Sequence, residues 1–274
     1  MTRLAIIVVS HNSCAELPAL LASLGGSAAV DDPNIVVVDN ASVDGTPAYL
    51  RAEWPGIRLI ETGANRGFAV ANNVGIRATT SEFVLLLNPD TVVAPGALTH
   101  LIAILDSRPD VAAIGPRLVD GQGRAELSFG AMLSPWTELR QKLLVGGNAR
   151  GIWPVTALVD WMTRRPGPVD WVSGACLLLR RADLEAVGLL DERFFMYTED
   201  VDLCAALRAR GRTVLFAATP EVVHLRGRSR TGAAGTATDG YRRSQVAFYQ
   251  KHHPGWVPLL EAYLTLRGQL PDRS

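Results

Sequence analysis

The sequence predicts an α/β fold: a doubly wound, mostly parallel sheet flanked by helices in a single compact domain. Short apolar runs at 4–9, 35–38 and 83–87 are rich in Ile, Val and Leu, as strands covered on both faces are. Helix-like segments follow each run, and strand alternating with helix implies right-handed βαβ units. A length of 274 residues with 48% apolar content is ample for one large core.

In chain order, the first strand at 4–9 leads to a helix at 16–24, where Leu17, Leu20, Leu21 and Leu24 recur at three- and four-residue spacing before Gly25-Gly26. The strand at 35–38 precedes a helix at 47–53, which follows a Thr able to cap it. The strand at 83–87 precedes a helix at 97–105, introduced by Pro95-Gly96. After about residue 120 the pattern loosens. Gly121-Gln122-Gly123 marks a turn, and 133–165 carries Trp136, Trp153 and Trp161 among Arg140, Lys142, Arg150, Arg164 and Arg165. Order returns with a strand at 171–179, a helix at 199–210 closed by Gly211, and a strand at 213–217. Residues 227–240, rich in Gly, Ala, Ser and Thr, read as a mobile loop, and two helices at 241–251 and 256–267 complete the chain.

Lys plus Arg and Asp plus Glu balance at 27 each, so no overall basic field is present to hold nucleic acid. Cys14, Cys176 and Cys204 are an odd number at wide spacing, which suits reduced thiols in a cytosolic protein. The opening apolar run is too short for a signal peptide, and no stretch approaches the ~18 apolar residues of a membrane span.

In a doubly wound sheet the ligand crevice lies outside the carboxyl ends of the strands. The predicted strands end at Ser10-His11-Asn12, Asp39-Asn40 and Asn88-Pro89-Asp90, so these three clusters are expected to rim one crevice. Asp39 can accept hydrogen bonds from a base or ribose there. Asp44 and Thr46 serve equally well as turn and cap residues. Asn65-Arg66-Gly67 opens a helix whose free N–H groups and Arg66 can meet a phosphate or base, although simple capping by Asn65 also explains the pattern. Asn72 and Asn73 are poor helix formers, which suggests another task.

Asp90 has no Lys or Arg within several residues, and a lone buried carboxylate is costly, so ligation of a hard divalent cation is a natural role. Glu199, Asp200 and Asp202 crowd one helical turn, more acids than interaction with the helix dipole needs. His224, where a strand meets the basic loop, is either structural or a ligand for metal or phosphate.

Taken together, VVSHNS at 8–13, VVDNASVDGT at 37–46, NRGFAVANNVGI at 65–76, LLLNPDTVV at 85–93, WVSGACLLLRR at 171–181, DERFFMYTEDVDLCAALRARG at 191–211 and HLRGRS at 224–229 resemble the family 2 inverting glycosyltransferases. The nearest likeness is to the rhamnosyltransferase-like branch.

The resemblance implies a GT-A fold, with a nucleotide-sugar-binding half at 1–120 and an acceptor-binding half at 121–274 that carries the catalytic helix, mobile loop and C-terminal helices. It implies a nucleoside-diphosphate sugar as donor, dTDP-rhamnose favoured over UDP- or GDP-sugars, and Mg2+ or Mn2+ as cofactor. Asp39 would hold the nucleobase and Asp44 support the nucleoside. Asn65, Arg66 and Gly67 would line the nucleotide pocket, with Ser10, Asn12, Asn40, Asn72 and Asn88 contributing around them. Asp90 would carry the metal, with His224 completing its shell. Asn88 stands where the family commonly has a first acid.

In the Glu199-Asp200 pair Asp200 is the expected catalytic base, and Trp171, Ser173 and Gly174 fall to the acceptor. Arg226, Arg228 and Arg230 could close over the diphosphate as a lid. The expected acceptor is a glycan or polyprenyl-linked saccharide of cell-envelope polysaccharide synthesis, handled in the cytoplasm or at the inner face of the plasma membrane. The Trp and basic residues of 133–165 could meet that membrane, or could simply pack the acceptor half.

Two other enzyme classes are disfavoured. No G-x-G-x-x-G follows the first strand, as a Rossmann dehydrogenase requires. A sugar nucleotidyltransferase would carry a Gly-rich, Arg-containing loop where this chain has Ser-His-Asn. A non-catalytic nucleotide-sugar-binding module is the alternative from another class, because Asn88 weakens the metal motif. The retained Asp90, Asp200 and His224 speak against it.

Overall fold

Apolar residues of both parities along one strand require cover on both faces, and that is how the sheet is built. The structure, a computed structural model, describes residues 2–25, 34–225 and 234–271. Strand β1 (Leu4–Ser10) is buried along its whole length. Its Ala5, Ile7 and Val9 enter one apolar cluster, and Leu4, Ile6 and Val8 enter another.

Helix α1 (Leu17–Gly25) buries the four predicted leucines on the second face. There follow β2 (Asn34–Asp39), α2 (Thr46–Glu53), β3 (Arg58–Glu61), α3 (Phe68–Arg77), β4 (Phe83–Leu87), β5 (Thr91–Val93), α4 (Ala97–Ser107) and β6 (Val111–Val119). β7 (Phe129–Gly130) leads into the α5 (Pro135–Ala149) and α6 (Trp153–Thr163) pair. Next come β8 (Gly167–Pro168), β9 (Trp171–Val172), β10 (Cys176–Arg180), α7 (Arg181–Ala186), α8 (Glu199–Ala209), β11 (Thr213–His224), α9 (Ala234–His252) and α10 (Val257–Leu266).

The main sheet runs β3-β2-β1-β4-β10-β6-β11-β5, with β8 on β11. β3, β2, β1 and β4 are mutually parallel, as is β6 with β11, whereas β10, β5 and β8 run antiparallel to their neighbours. The parallel register sets Ser10 opposite Asp39 and carries both to the same carboxyl edge as the end of β4.

Several elements depart from the sequence reading. The strand expected at 171–179 is interrupted: β9 pairs with β7 in a separate ribbon, 173–175 turns, and only β10 joins the main sheet. The strand expected at 213–217 continues to His224. β3 and β6 carried no recognised signal. In β6 the cause is Gly115-Pro116 mid-strand, where proline removes a ladder donor. The neighbouring strand accommodates it, because β11 shifts register between Ala217, paired with Pro116, and Glu221.

Residues 133–165, read as irregular, hold two helices. Ser134 caps α5 through a capping box with Thr137. Buried Glu138 ties α5 to α9: its Oε1 accepts from Tyr241 at 2.9 Å and Gln245 at 2.6 Å, and its Oε2 from Tyr249 at 3.0 Å. Of the loop expected at 227–240, α9 already begins at Ala234, and 226–233 lie outside the described residues.

Candidate functional site

The carboxyl edge of β1 and β2 is stitched by short polar side chains. Ser10 Oγ donates to Asp39 Oδ1 at 3.1 Å, and Asp39 Oδ2 accepts the Ser42 N–H at 3.0 Å. Each carboxylate oxygen keeps a lone pair for a further donor. Asn12, in a left-handed conformation at φ 54, accepts the Val43 N–H at 2.8 Å and so laces the loop after β1 to the loop after β2.

Asp44 takes the Cys14 N–H at 2.9 Å and both the N–H and Oγ1 of Thr46 at 3.1 and 2.6 Å. Burial alone would raise its carboxyl, but these hydrogen bonds hold it below the ordinary value. Asp44 thus fills the turn role allowed by the sequence, but Thr46 does not cap: α2 begins at Thr46 itself, its N-cap is the left-handed Gly45, and the Thr46 hydroxyl is spent on Asp44.

Asn40 bridges this edge to the loop before α3. Its Oδ1 accepts the Arg66 N–H at 3.0 Å and its Nδ2 donates to Asn65 Oδ1 at 2.8 Å, which in turn accepts the Gly67 N–H at 3.1 Å. Gly67 has φ 86, and a Cβ there would overlap the Phe195 carbonyl and lie 2.8 Å from its ring. The Phe68 N–H donates to that carbonyl at 2.6 Å. Glycine is thus needed where the loop before α3 meets the loop before α8. The Arg66 side chain is exposed.

Asn72 donates to Phe68 O at 2.9 Å, and its buried Oδ1 has no hydrogen-bond partner. Asn73 has a structural task, clasping the Leu190 backbone by its O at 2.8 Å and its N–H at 3.1 Å.

The end of β4 meets the end of β11. β5 pairs with β11 so that Thr91 faces His224, and the Leu225 N–H donates to Asp90 O at 2.8 Å. His224 Nε2 lies 3.3 Å from Asp90 Oδ1, while Asn88 Nδ2 makes a long 3.5 Å contact with the same nitrogen. The other ring nitrogen, Nδ1, is 3.1 Å from Glu126 Oε2. Asp90, Glu126 and His224 are all buried. Burial alone would lower the imidazole pKa, but hydrogen bonds to the two carboxylates raise it to about 9.

Glu126 was not singled out from the sequence, since it lies in the patternless stretch after residue 120 and is 98 residues from its partner. Among the described residues no three His, Cys, Asp or Glu converge as a ready-made metal cage. The donor set is one carboxylate oxygen and one imidazole oriented from behind by a carboxylate. That set fits a hard cation that takes its other ligands from water and phosphate.

α8 supplies the acids. Tyr197 and Thr198 both sit in left-handed conformations, φ 70 and 66, and this uncommon turn aims the first residues of the helix. Asp200 is half-buried; its Oδ2 accepts the Gly174 N–H and its Oδ1 the Val201 N–H, each at 2.8 Å. Desolvation still raises its carboxyl above the ordinary value. Glu199 is buried with Oε2 unpartnered, and desolvation followed by the charge of Asp200 raises its carboxyl well above the ordinary value.

Asp202 serves the fold, binding Lys251 at 2.9 Å and His252 at 2.6 Å and so joining α8 to the end of α9. The turn at 173–175 connects the two clusters. Gly174 holds Asp200, and Ala175 O accepts the Asn88 N–H at 3.0 Å. Ser173 Oγ accepts the Ala175 N–H at 3.3 Å. Trp171 is buried at the base of this turn, its indole N–H donating to Ala131 O at 2.9 Å. Arg228, with Arg226 and Arg230, lies outside the described residues.

Residues 5–160 match the family model described as Glycosyl transferase family 2. The chain is 32% identical over 285 residues to an N-acetylglucosaminyl-diphospho-decaprenol L-rhamnosyltransferase of Mycobacterium tuberculosis, covering 99% of this chain and 91% of that protein. It is 24% identical over 228 residues to the rhamnosyltransferase WbbL of Escherichia coli K12, covering 80% and 82%. The fold superposes on the mannosyltransferase PcManGT from Pyrobaculum calidifontis, solved with GDP-Man and Mn2+. The TM-score is 0.60 and the identity 20%, over 96% of this chain and 69% of that one.

Proposed function

We propose, from the premise that this chain belongs to glycosyl transferase family 2, that it moves rhamnose or another hexose from a nucleoside-diphosphate sugar to a hydroxyl of a lipid-linked saccharide, with inversion. The observation that carries the reading is Asp200. Its carboxylate is gripped by two backbone N–H groups, and one turn, 173–175, links it to the Asn88–Asp90 cluster. In the proposed reaction Asp200 accepts the proton of the acceptor hydroxyl. That oxygen bonds to the anomeric carbon from the face opposite the leaving group, and the old carbon–oxygen bond breaks toward the diphosphate. The sugar passes through an oxocarbenium-like state, as in glycoside hydrolysis.

Asp90 and His224 would hold Mg2+ or Mn2+, whose charge offsets that gathering on the leaving diphosphate. Glu126 orients His224 from behind, and Asn88 lies within reach of the same ring. Asp39, with Ser10 beneath it, would receive the base, and the Asn40-braced loop of Asn65, Arg66 and Gly67 would face the nucleotide. Asn12 and Asp44 shape that pocket through the loops they lace, and the orphaned Oδ1 of Asn72 offers it a further acceptor. Ser173 and Gly174, backed by Trp171, would receive the acceptor.

Rhamnose, carried by dTDP, and a polyprenyl-diphosphate acceptor are favoured. The reading is supported by the relative from M. tuberculosis, whose name specifies both rhamnosyl transfer and a decaprenol-linked acceptor. The working place would then be the cytoplasmic face of the membrane. The test is nucleotide release from dTDP-, UDP- and GDP-sugars, with and without Mn2+ or Mg2+, in the presence of lipid-linked acceptor extract. The expected result is metal-stimulated release that depends on acceptor and is fastest with dTDP-rhamnose. Donor binding with no release from any sugar would instead favour a binding module.

A further inference from the structure

The helices α5 and α6 turn apolar side chains outward. Trp136 is 73% exposed, Trp153 78% and Trp161 51%, and Leu139, Leu143, Ile152 and Leu158 are exposed beside them. Their spacing is helical. Trp136, Leu139, Arg140 and Leu143 form one stripe of α5, while Trp153, Ala157 and Trp161 recur every fourth residue on α6. Neither stripe is needed by the core, because Leu144, Val145, Val155, Val159 and Met162 already pack inward from the same helices.

The charge on this pair of helices is one-sided. Residues 131–166 carry five basic residues and two acidic ones, in a chain whose charges balance overall. Both acids are engaged: Glu138 is buried against α9, and Asp160 holds Arg117 at 2.7 Å and Arg164 at 2.8 Å. Arg140, Arg150 and Arg165 pair with no acid among the described residues, and the Arg165 guanidinium lies 3.6 Å from the Trp161 ring centre. Indole beside guanidinium suits the boundary between lipid headgroups and acyl chains, where the ring sinks and the cation meets phosphate. No helix among the described residues is long and apolar enough to cross a membrane, so contact by these residues would be interfacial.

We propose that the α5–α6 hairpin is a docking surface for an anionic lipid bilayer, with Trp136, Trp153 and Trp161 as the inserted side chains and Arg140, Arg150 and Arg165 as the headgroup contacts. The occupant is set by charge complementarity and by aromatic residues interleaved with unpaired cations, a pattern that a leaflet of anionic lipid matches. The inference rests on this surface and not on the transfer reaction proposed above.

The experiment is flotation of the full chain with vesicles of phosphatidylcholine alone or mixed with phosphatidylglycerol, at low and high salt, with no sugar donor or acceptor present. The chain is expected to float with the phosphatidylglycerol vesicles, less so at high salt, and hardly at all with phosphatidylcholine alone. The variant Trp136→Ser/Trp153→Ser/Trp161→Ser should lose about tenfold or more of that binding. Arg140→Glu/Arg150→Glu, which leaves every buried contact in place, should lose the salt-sensitive part. Leu259→Ser/Leu266→Ser on α10 should bind as the parent does. Absence of binding by the parent chain would overturn the proposal, and so would equal binding by the Trp variant or an equal loss in the α10 variant. Failure of the transfer reaction would leave vesicle binding unchanged, so the two readings can fall separately.

Discussion

Glu126 holds His224 from behind: its Oε2 is 3.1 Å from Nδ1, and this turns Nε2 toward Asp90 at 3.3 Å. A buried carboxylate in that position fixes which ring nitrogen faces the crevice and raises the basicity of the imidazole. If Asp90 and His224 hold a cation as proposed, removing Glu126 should weaken that site while leaving both proposed ligands in place. Glu126→Ala is predicted to raise the Mg2+ or Mn2+ concentration for half-maximal transfer about 10–100-fold, with much of the rate restored at saturating metal. Glu126→Gln, which can still accept the Nδ1–H, should lose less. A metal titration of the transfer rate checks both.

Gly67 sits at φ 86, where an added Cβ would overlap the Phe195 carbonyl, at the meeting of the loop before α3 and the loop before α8. Gly67→Ala combines an unfavourable backbone conformation with a clash against main chain, and is predicted to cost roughly 2–4 kcal/mol. Urea unfolding measures it, and the transfer rate should fall as well, because one loop carries Asn65 and Arg66 and the other leads into Glu199 and Asp200 at the start of α8.

Glu199 is a buried acid whose pKa is raised in the folded protein, by desolvation first and by the Asp200 charge second. The folded state therefore binds this proton more tightly than the unfolded chain does. Its contribution to stability is fully present below 4.5 and is lost as pH rises through the raised value. Glu199→Gln keeps the neutral shape and removes the titration. The melting temperature of the variant should rise relative to the parent's as pH increases above 4.5. Parallel dependence of the two melting temperatures on pH would contradict a raised pKa at Glu199.

The strand ends were legible because a sheet covered on both faces writes continuous apolar runs, and the polar residues that stop those runs mark its carboxyl edge. Ser10, Asp39 and Asn88 were placed by that rule alone. Asp90 is less isolated than its neighbours in sequence suggested, since β5 pairing with β11 delivers His224 from far along the chain. Glu126 left no local trace.

The helices α5 and α6 were hidden for a different reason. Trp136, Leu139 and Leu143 are apolar on the solvent side, so the inward-facing stripe does not stand out by period, and Gly146-Gly147 breaks it further. The Gly115-Pro116 pair masked β6 in the same way, because the compensating register shift lies in β11.

The central claim is that Asp200 is the base of glycosyl transfer, and the direct test is Asp200→Asn assayed twice: for sugar transfer to the lipid-linked acceptor and for equilibrium binding of the donor nucleotide. Asparagine keeps an oxygen for the Gly174 or Val201 N–H but cannot accept the hydroxyl proton. Transfer is predicted to fall by about 10²–10⁴-fold while nucleotide affinity stays within a few-fold. Near-parental turnover in that variant would contradict the assignment.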